Sequence, residues 1–174
     1  MSKEFLMIKS PEHLFAQVYA MKCESEDRLQ DLIDSLNQHN NKAAADIFSR
    51  TIELIKRSIE NIEQRIQGMQ LPEIPPWESQ WHYDVQPDLV CIENAHYLMS
   101  PLQALELAIY NEMRLQEFFK QQVDKGVNED VRLIASELFF QEKQLIEHIL
   151  SWKVQFENSE IEQNEDFDPP NIPE

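Results

Sequence analysis

The sequence predicts an all-α fold, an antiparallel four-helix bundle with a long crossover between its second and third helices. Its 174 residues are enough for one domain with a substantial core. Only two of them are glycine, against a usual share of about 7%, which leaves little material for hairpin turns or phosphate-binding loops. Four segments carry apolar residues at helical spacing. An all-β protein and a nucleotide-binding α/β protein are therefore disfavoured.

Two serine–proline pairs predict the starts of the first and third helices. In Ser10-Pro11 and Ser100-Pro101 the serine suits an N-cap and the proline suits the first helical position, where its missing N–H is not needed. The first helix is predicted to end at about Leu36, before a polar turn. The third is predicted to end at about Lys125, before Gly126.

The second and fourth helices are bounded by similar signals. The second is predicted from about Lys42 to Gln67 and stops at Gly68, a residue that suits a left-handed position after a helix. Asn128 can cap the fourth helix, whose first turn is acidic and so complements the helix dipole. The fourth helix is predicted to end at about Lys153.

The long connection and the chain end differ in composition from the helices. Residues 71–99 form a 29-residue segment with four of the nine prolines and two of the three tryptophans, and a loop this long usually crosses the body of a domain. A long crossover between two short turns is the ferritin-like bundle connectivity. We therefore assign residues 1–153 to the bundle. Residues 154–174, with seven acids and no base, are predicted to be a disordered tail.

Charge and cysteine content limit the partners and the compartment. Fifteen basic residues against 32 acidic ones give a net charge of −17, which disfavours nucleic acid and anionic membranes as partners. No stretch has the length of a signal peptide core or a membrane span, and Cys23 and Cys91 make no zinc motif. We expect a cytoplasmic protein, whose acidic tail is either simply solvated or docks on a basic protein.

Three glutamates interrupt otherwise apolar helix faces. Glu112 lies near the middle of the predicted buried face of the third helix, and Glu142 lies near the middle of that face on the fourth. On the first helix, Glu24 is the acid that best continues the predicted buried face. Burying an ionised carboxylate costs several kcal/mol unless a metal, a cation or hydrogen bonds compensate. These three acids are therefore predicted to converge. In the alternative, each turns to water or pairs with a nearby base, as Glu24 can with Arg28.

The segments around these glutamates resemble those of a known protein family. Over residues 11–153 the chain resembles the ferritin-like superfamily, in particular its rubrerythrin-like branch, through three segments: Ala20–Leu29, Ser100–Phe119 and Val131–Trp152. The resemblance implies a dinuclear iron or manganese site, held by single glutamates from two helices and by Glu-x-x-His pairs from the other two. The metal-ligand candidates that it implies are Glu24, Glu112 and Glu142, with Glu53 as a weaker candidate.

The resemblance does not extend to the histidines. Leu145 stands three residues after Glu142, where the family has histidine, and a gap-free alignment puts Ile55 and Ser58 at the Glu and His positions of the second helix. A two-residue shift that recruits Glu53 would put a lysine at that histidine position.

The remaining histidines are poor substitutes. His148 is expected on the exposed side of the fourth helix. His82 and His96 lie in the crossover, where they either approach the acids or are solvated.

The sequence therefore predicts a ferritin-like, rubrerythrin-related protein with an incomplete dinuclear site, non-catalytic or weakly metal-binding. One alternative is an iron or manganese oxidoreductase that acts on oxygen or peroxide. Another is a scaffold that uses its tail and its aromatic patches. A homodimer is expected, because adjacent Phe139 and Phe140 cannot both face one core and because ferritin-like proteins often dimerise. Whether the protein is an enzyme stays open.

Overall fold

The computed structural model describes residues 7–75 and 96–165. They form four α-helices: α1 (Pro11–Gln38), α2 (Lys42–Ile66), α3 (Pro101–Lys125) and α4 (Glu129–Glu165). A short 3-10 turn, His96–Leu98, precedes α3. Helices α1 and α2 pack as one pair and α3 and α4 as the other. This architecture, with its long connection between α2 and α3, confirms the predicted all-α fold.

The predicted N-caps are confirmed. The Ser10 hydroxyl accepts a hydrogen bond from the His13 N–H at 3.2 Å. Ser100 and Gln103 form a reciprocal capping box, in which each side chain accepts from the other's N–H at 3.1 and 2.9 Å. The Asn128 side chain accepts from two backbone N–H groups in the first turn of α4. These bonds satisfy N–H groups that the helices cannot satisfy themselves.

The helix ends follow the predictions except in α4. Gly68 has a φ of 79° after α2, the left-handed conformation expected of it. In contrast, α4 continues to Glu165 rather than ending at about Lys153. Residues 154–165 contain no glycine or proline and several glutamates and glutamines, which favour helix continuation. The rest of the predicted tail lies outside the described residues, as do Trp77, His82 and Cys91.

The core consists of two apolar clusters stacked along the bundle axis. The first, here called the Trp152 cluster, includes Leu29, Phe48, Ile55, Ile59, Ala108, Ile149 and Trp152. The second, the Phe119 cluster, includes Phe15, Met21, Ile62, Leu115, Phe119 and Leu138. The isoleucines of α2 at positions 52, 55, 59 and 62 are buried, and each such side chain contributes about 1.5–3 kcal/mol by leaving water.

On three helices, polar side chains lie between the residues of the Trp152 cluster and those of the Phe119 cluster. We call this layer of polar side chains the polar level. On α3 this level lies between Ala108 and Leu115, and on α4 it lies between Leu138 and Ile149. On α1 it follows Met21. The glutamates predicted on α3 and α4 fall at this level, so the fold places them at mid-height in the bundle.

Among the described helices, none is both long enough and apolar enough to cross a membrane.

Candidate functional site: a buried lysine between two glutamates

A lysine and two glutamates meet at the polar level. Lys22 of α1, Glu112 of α3 and Glu142 of α4 are only 1%, 2% and 3% exposed. The Lys22 Nζ lies 2.7 Å from Glu142 Oε2 and 3.3 Å from Glu112 Oε2. One ammonium therefore bridges carboxyl groups from two other helices. We call these three residues the Lys22 cluster.

The helical period places Lys22 in the interior. It lies four residues after Val18 and three before Ser25, and both of those side chains are buried on the same face of α1. The methylene stem of a buried lysine can pack among apolar side chains while its charged end reaches polar partners. An ammonium has three donors, and the two glutamates provide acceptors for two of them.

The two neighbouring glutamates keep Lys22 charged. Burial by itself lowers the pKa of a lysine, but the charges and hydrogen bonds of Glu142 and Glu112 outweigh burial and raise the pKa of Lys22 above its ordinary value. At neutral pH the group is thus an ammonium. It is a cation held in place rather than a free amine nucleophile.

Burial has the opposite consequence for Glu142. Removal from water raises the pKa of Glu142 to about 8, with Glu112 adding to the rise and Lys22 opposing it. At pH 7 this carboxyl is mainly protonated, so the Lys22 ammonium lies beside a carboxyl group that is mostly neutral. Its Oε1 atom is buried and has no hydrogen-bond partner among the described residues.

The other two predicted ligands, Glu24 and Glu53, do not join the Lys22 cluster. The Glu24 side chain is 36% exposed and pairs with Arg28 one turn later on α1, which is the alternative that the sequence left open. Glu24 is two residues beyond Lys22, about 200° around the helix, so both cannot face the interior. The Glu53 side chain is 67% exposed and lies 4.0 Å from Lys56. The structure brings Glu112 and Glu142 together and leaves Glu24 and Glu53 apart from them.

Because the Glu24 side chain is only half-buried and pairs with Arg28 on its own helix, we expect Glu24→Gln to change the free energy of unfolding by less than about 0.5 kcal/mol, the usual contribution of an i,i+4 pair. Urea unfolding monitored by circular dichroism measures this change. Glu112→Gln is the matched variant of a buried glutamate and should cost clearly more. A loss above about 2 kcal/mol for Glu24→Gln would instead indicate a buried role for this residue.

The described side chains do not fit a dinuclear metal centre. In residues 7–75 and 96–165, no three His, Cys, Asp or Glu side chains are grouped so that they could hold a metal ion. The space between the two buried carboxyls contains the Lys22 ammonium instead. His148 is exposed, as predicted, with its ring centre 5.2 Å from that of Trp152. The approach of His82 or His96 to the acids lies outside the described side chains.

Cys23 does not add a soft ligand to the site. It is half-buried, and burial raises the pKa of its thiol, so the unreactive protonated form prevails at neutral pH. Its neighbour Tyr19 donates a hydrogen bond to Glu63 at 3.0 Å, which raises the pKa of the tyrosine to about 12. These groups are stable neutral donors on the flank of α1.

Lys22 is the site residue that the sequence analysis missed. Lysine is rarely buried, and Glu24, two residues later, is the polar residue that best continues the apolar face of α1 in the sequence. Two signals pointed to it: its spacing of four from Val18, and the need of two buried acids for a compensating cation.

Fold and site together define an all-α four-helix bundle with a lysine-bridged pair of carboxyl groups in its interior. Its structure is similar to the crystal structure of an uncharacterized conserved protein from Magnetospirillum magnetotacticum MS-1, with a TM-score of 0.64 and 24% identity over 84% of this chain and 95% of that chain. This similarity shows the fold. Neither the protein-family models nor the curated proteins searched contain a match.

Proposed function

We propose that this protein is a ferritin-like, rubrerythrin-related module that is non-catalytic and needs no dinuclear metal centre. The observation that carries the proposal is the position of the Lys22 ammonium, within 3.3 Å of both Glu112 and Glu142. In the family that the sequence resembles, metal cations supply the positive charge between such carboxylates. Here a side chain of the protein supplies it.

Charge balance supports this proposal. With Glu142 mainly protonated at neutral pH, the Lys22 ammonium already supplies a positive charge between the two carboxyl groups. A divalent cation bound between the two carboxyls would stand beside the ammonium, and like charges at such distances repel strongly in a buried site. Metal binding would therefore require Lys22 to leave the interior or to lose its proton.

The remaining ligand positions support it as well. Ile55, at the glutamate position of α2 in the gap-free alignment, is fully buried and has no atom that can coordinate a metal. Leu145, at the histidine position of α4, packs against the Trp152 cluster. These side chains extend the apolar core into positions where the family has ligands, and that substitution stabilises the bundle without metal.

Metal analysis of the full chain, purified without chelators from cells supplied with iron and manganese, tests the proposal. We expect each metal at well below one ion per chain, and we expect the thermal unfolding midpoint to be the same with and without a chelator. If metal stabilised the native state, the chelator would lower that midpoint.

A matched pair of variants makes the test specific. Glu112→Gln alters the buried cluster, whereas Glu147→Gln alters a glutamate of α4 that is 60% exposed. Stoichiometric iron or manganese that is lost in Glu112→Gln and kept in Glu147→Gln would overturn the proposal. It would favour the alternative function, an iron or manganese oxidoreductase with Glu112 and Glu142 among its ligands.

A further inference from the structure

The asparagine that caps α2 also binds a distant segment of the chain. The Oδ1 atom of Asn41 accepts a hydrogen bond from the Ala44 N–H at 3.3 Å and so caps the helix. Its Nδ2 donates to the backbone oxygen of Met99 at 2.7 Å and to that of Tyr97 at 3.2 Å. One amide group has both an acceptor and donors, so a single side chain can do both. Asn41 therefore ties the segment before α3 to the turn between α1 and α2.

Asn128 makes the equivalent contacts at the opposite end of the bundle. Its Oδ1 atom caps the first turn of α4, and its Nδ2 donates to the backbone oxygen of Lys9 at 3.2 Å. Lys9 directly precedes the Ser10-Pro11 start of α1, just as Met99 directly precedes the serine–proline start of α3. Each helical hairpin thus binds, through one asparagine, the residues that lead into the other hairpin.

Each of the two bound segments contributes one buried side chain to the core. Met99 is 3% exposed and belongs to the Trp152 cluster, whereas Ile8 is fully buried and belongs to the Phe119 cluster. Their neighbours Leu98 and Met7 are exposed, so a single residue of each segment enters the interior. Both residues lie outside the four α-helices, and helical hydrogen bonds therefore do not hold them in place. We call Ile8 and Met99 the plug residues.

We propose that Asn41 and Asn128 are two independent latches, each of which closes one end of the bundle by holding one plug residue in the core. Release of a latch lets its segment move away and exposes the apolar cluster at that end to water, while the four helices stay folded. Segments held by few contacts are the ones that open locally in folded proteins. Because the latches lie at opposite ends and share no partner, the opening of one end should not affect the other.

Labelling of a buried thiol measures the opening of each end separately. Cys23→Ser and Cys91→Ser remove the native thiols from the full chain. Ile8→Cys or Met99→Cys then places one thiol at a plug position. A buried thiol reacts with N-ethylmaleimide only when its segment opens, so the labelling rate reports the population of the open form. Far-UV circular dichroism verifies that each variant is folded.

The latch variants are Asn41→Asp and Asn128→Asp. Aspartate is a good N-cap but its side chain has no N–H group, so each variant preserves the cap and removes the bond to the segment. We expect Asn128→Asp to accelerate labelling at position 8 about tenfold, the equivalent of one hydrogen bond, and to leave position 99 unchanged. Asn41→Asp should have the reverse effect, of at least the same size. Asn61→Asp, at an exposed position of α2, adds the same charge and should change neither rate.

Hydrogen exchange gives a second measurement in protein that retains the native plug residues. Asn128→Asp should accelerate amide exchange in residues 7–14 and Asn41→Asp in residues 97–104, each without a change in the other segment. A latch variant that accelerates labelling and exchange at both ends would overturn the proposal, because the ends would then open together. So would rates at positions 8 and 99 that both variants leave unchanged, because the asparagines would then not hold the plug residues.

Discussion

We expect Lys22→Met to lower the free energy of unfolding by about 3–5 kcal/mol, the usual cost of removing one partner from a buried ion pair. Methionine fills much of the volume of the lysine stem but leaves Glu112 and Glu142 without their cation. Urea unfolding at pH 7 measures the loss. Lys143→Met is the control, because the Lys143 side chain is 55% exposed and an exposed pair contributes less than about 1 kcal/mol.

A triple variant separates the cost of a broken pair from the value of the whole cluster. Lys22→Met combined with Glu112→Leu and Glu142→Leu removes every charge and polar atom of the three side chains. Fully apolar replacements of buried ion pairs are often neutral or stabilising by about 1–4 kcal/mol, so we expect the triple variant to be at least as stable as the wild type. A Lys22→Met protein as stable as the wild type would contradict the assigned role of the ammonium.

We also expect Glu142 to contribute to the free energy of unfolding at low pH, and we expect this contribution to decrease as the pH rises. The pKa of Glu142 is raised from 4.5 to about 8 in the folded state, chiefly by burial. Between these values the native state holds a proton that the unfolded chain releases, so this term is fully present below pH 4.5 and is lost as the pH approaches 8. A shift of this size corresponds to a few kcal/mol.

Glu142→Gln isolates this term, because an amide resembles the protonated carboxyl and does not titrate. The stability of the variant relative to the wild type should rise steadily from pH 5 to pH 9, as measured by urea unfolding across that range. Glu147→Gln, on the exposed side of the same helix, should show no such trend. A constant difference between Glu142→Gln and the wild type would mean that Glu142 is ionised throughout this range.

Local chemistry explains why the fold was predictable from the sequence. Serine caps, proline at the first helical position and apolar residues at helical spacing act within a few residues of one another, and they placed the starts of the helices correctly. The end of α4 was less predictable, because a run of acidic residues is compatible both with a solvated tail and with a continuing helix.

The candidate site was predictable only in part. Glu112 and Glu142 interrupt regular apolar faces, so their burial follows from periodicity. On α1 several polar residues occur in succession, and a choice between Lys22 and Glu24 changes the direction of the side chain by about 200°. That choice depends on charges that α3 and α4 present, which sequence reasoning about α1 alone does not contain.

The polar level between the two apolar clusters also bears on how the two halves of the chain fit together. Helix α1 belongs to one hairpin, whereas α3 and α4 form the other, and only the long crossover joins them covalently. Rows of leucine and isoleucine tolerate an axial slip of one turn, about 5.4 Å. A bridge between one lysine and two glutamates does not, because the slip would leave all three groups buried and unpaired. Lys22 thus fixes the axial register of the hairpins, as a single buried polar residue does in a coiled coil.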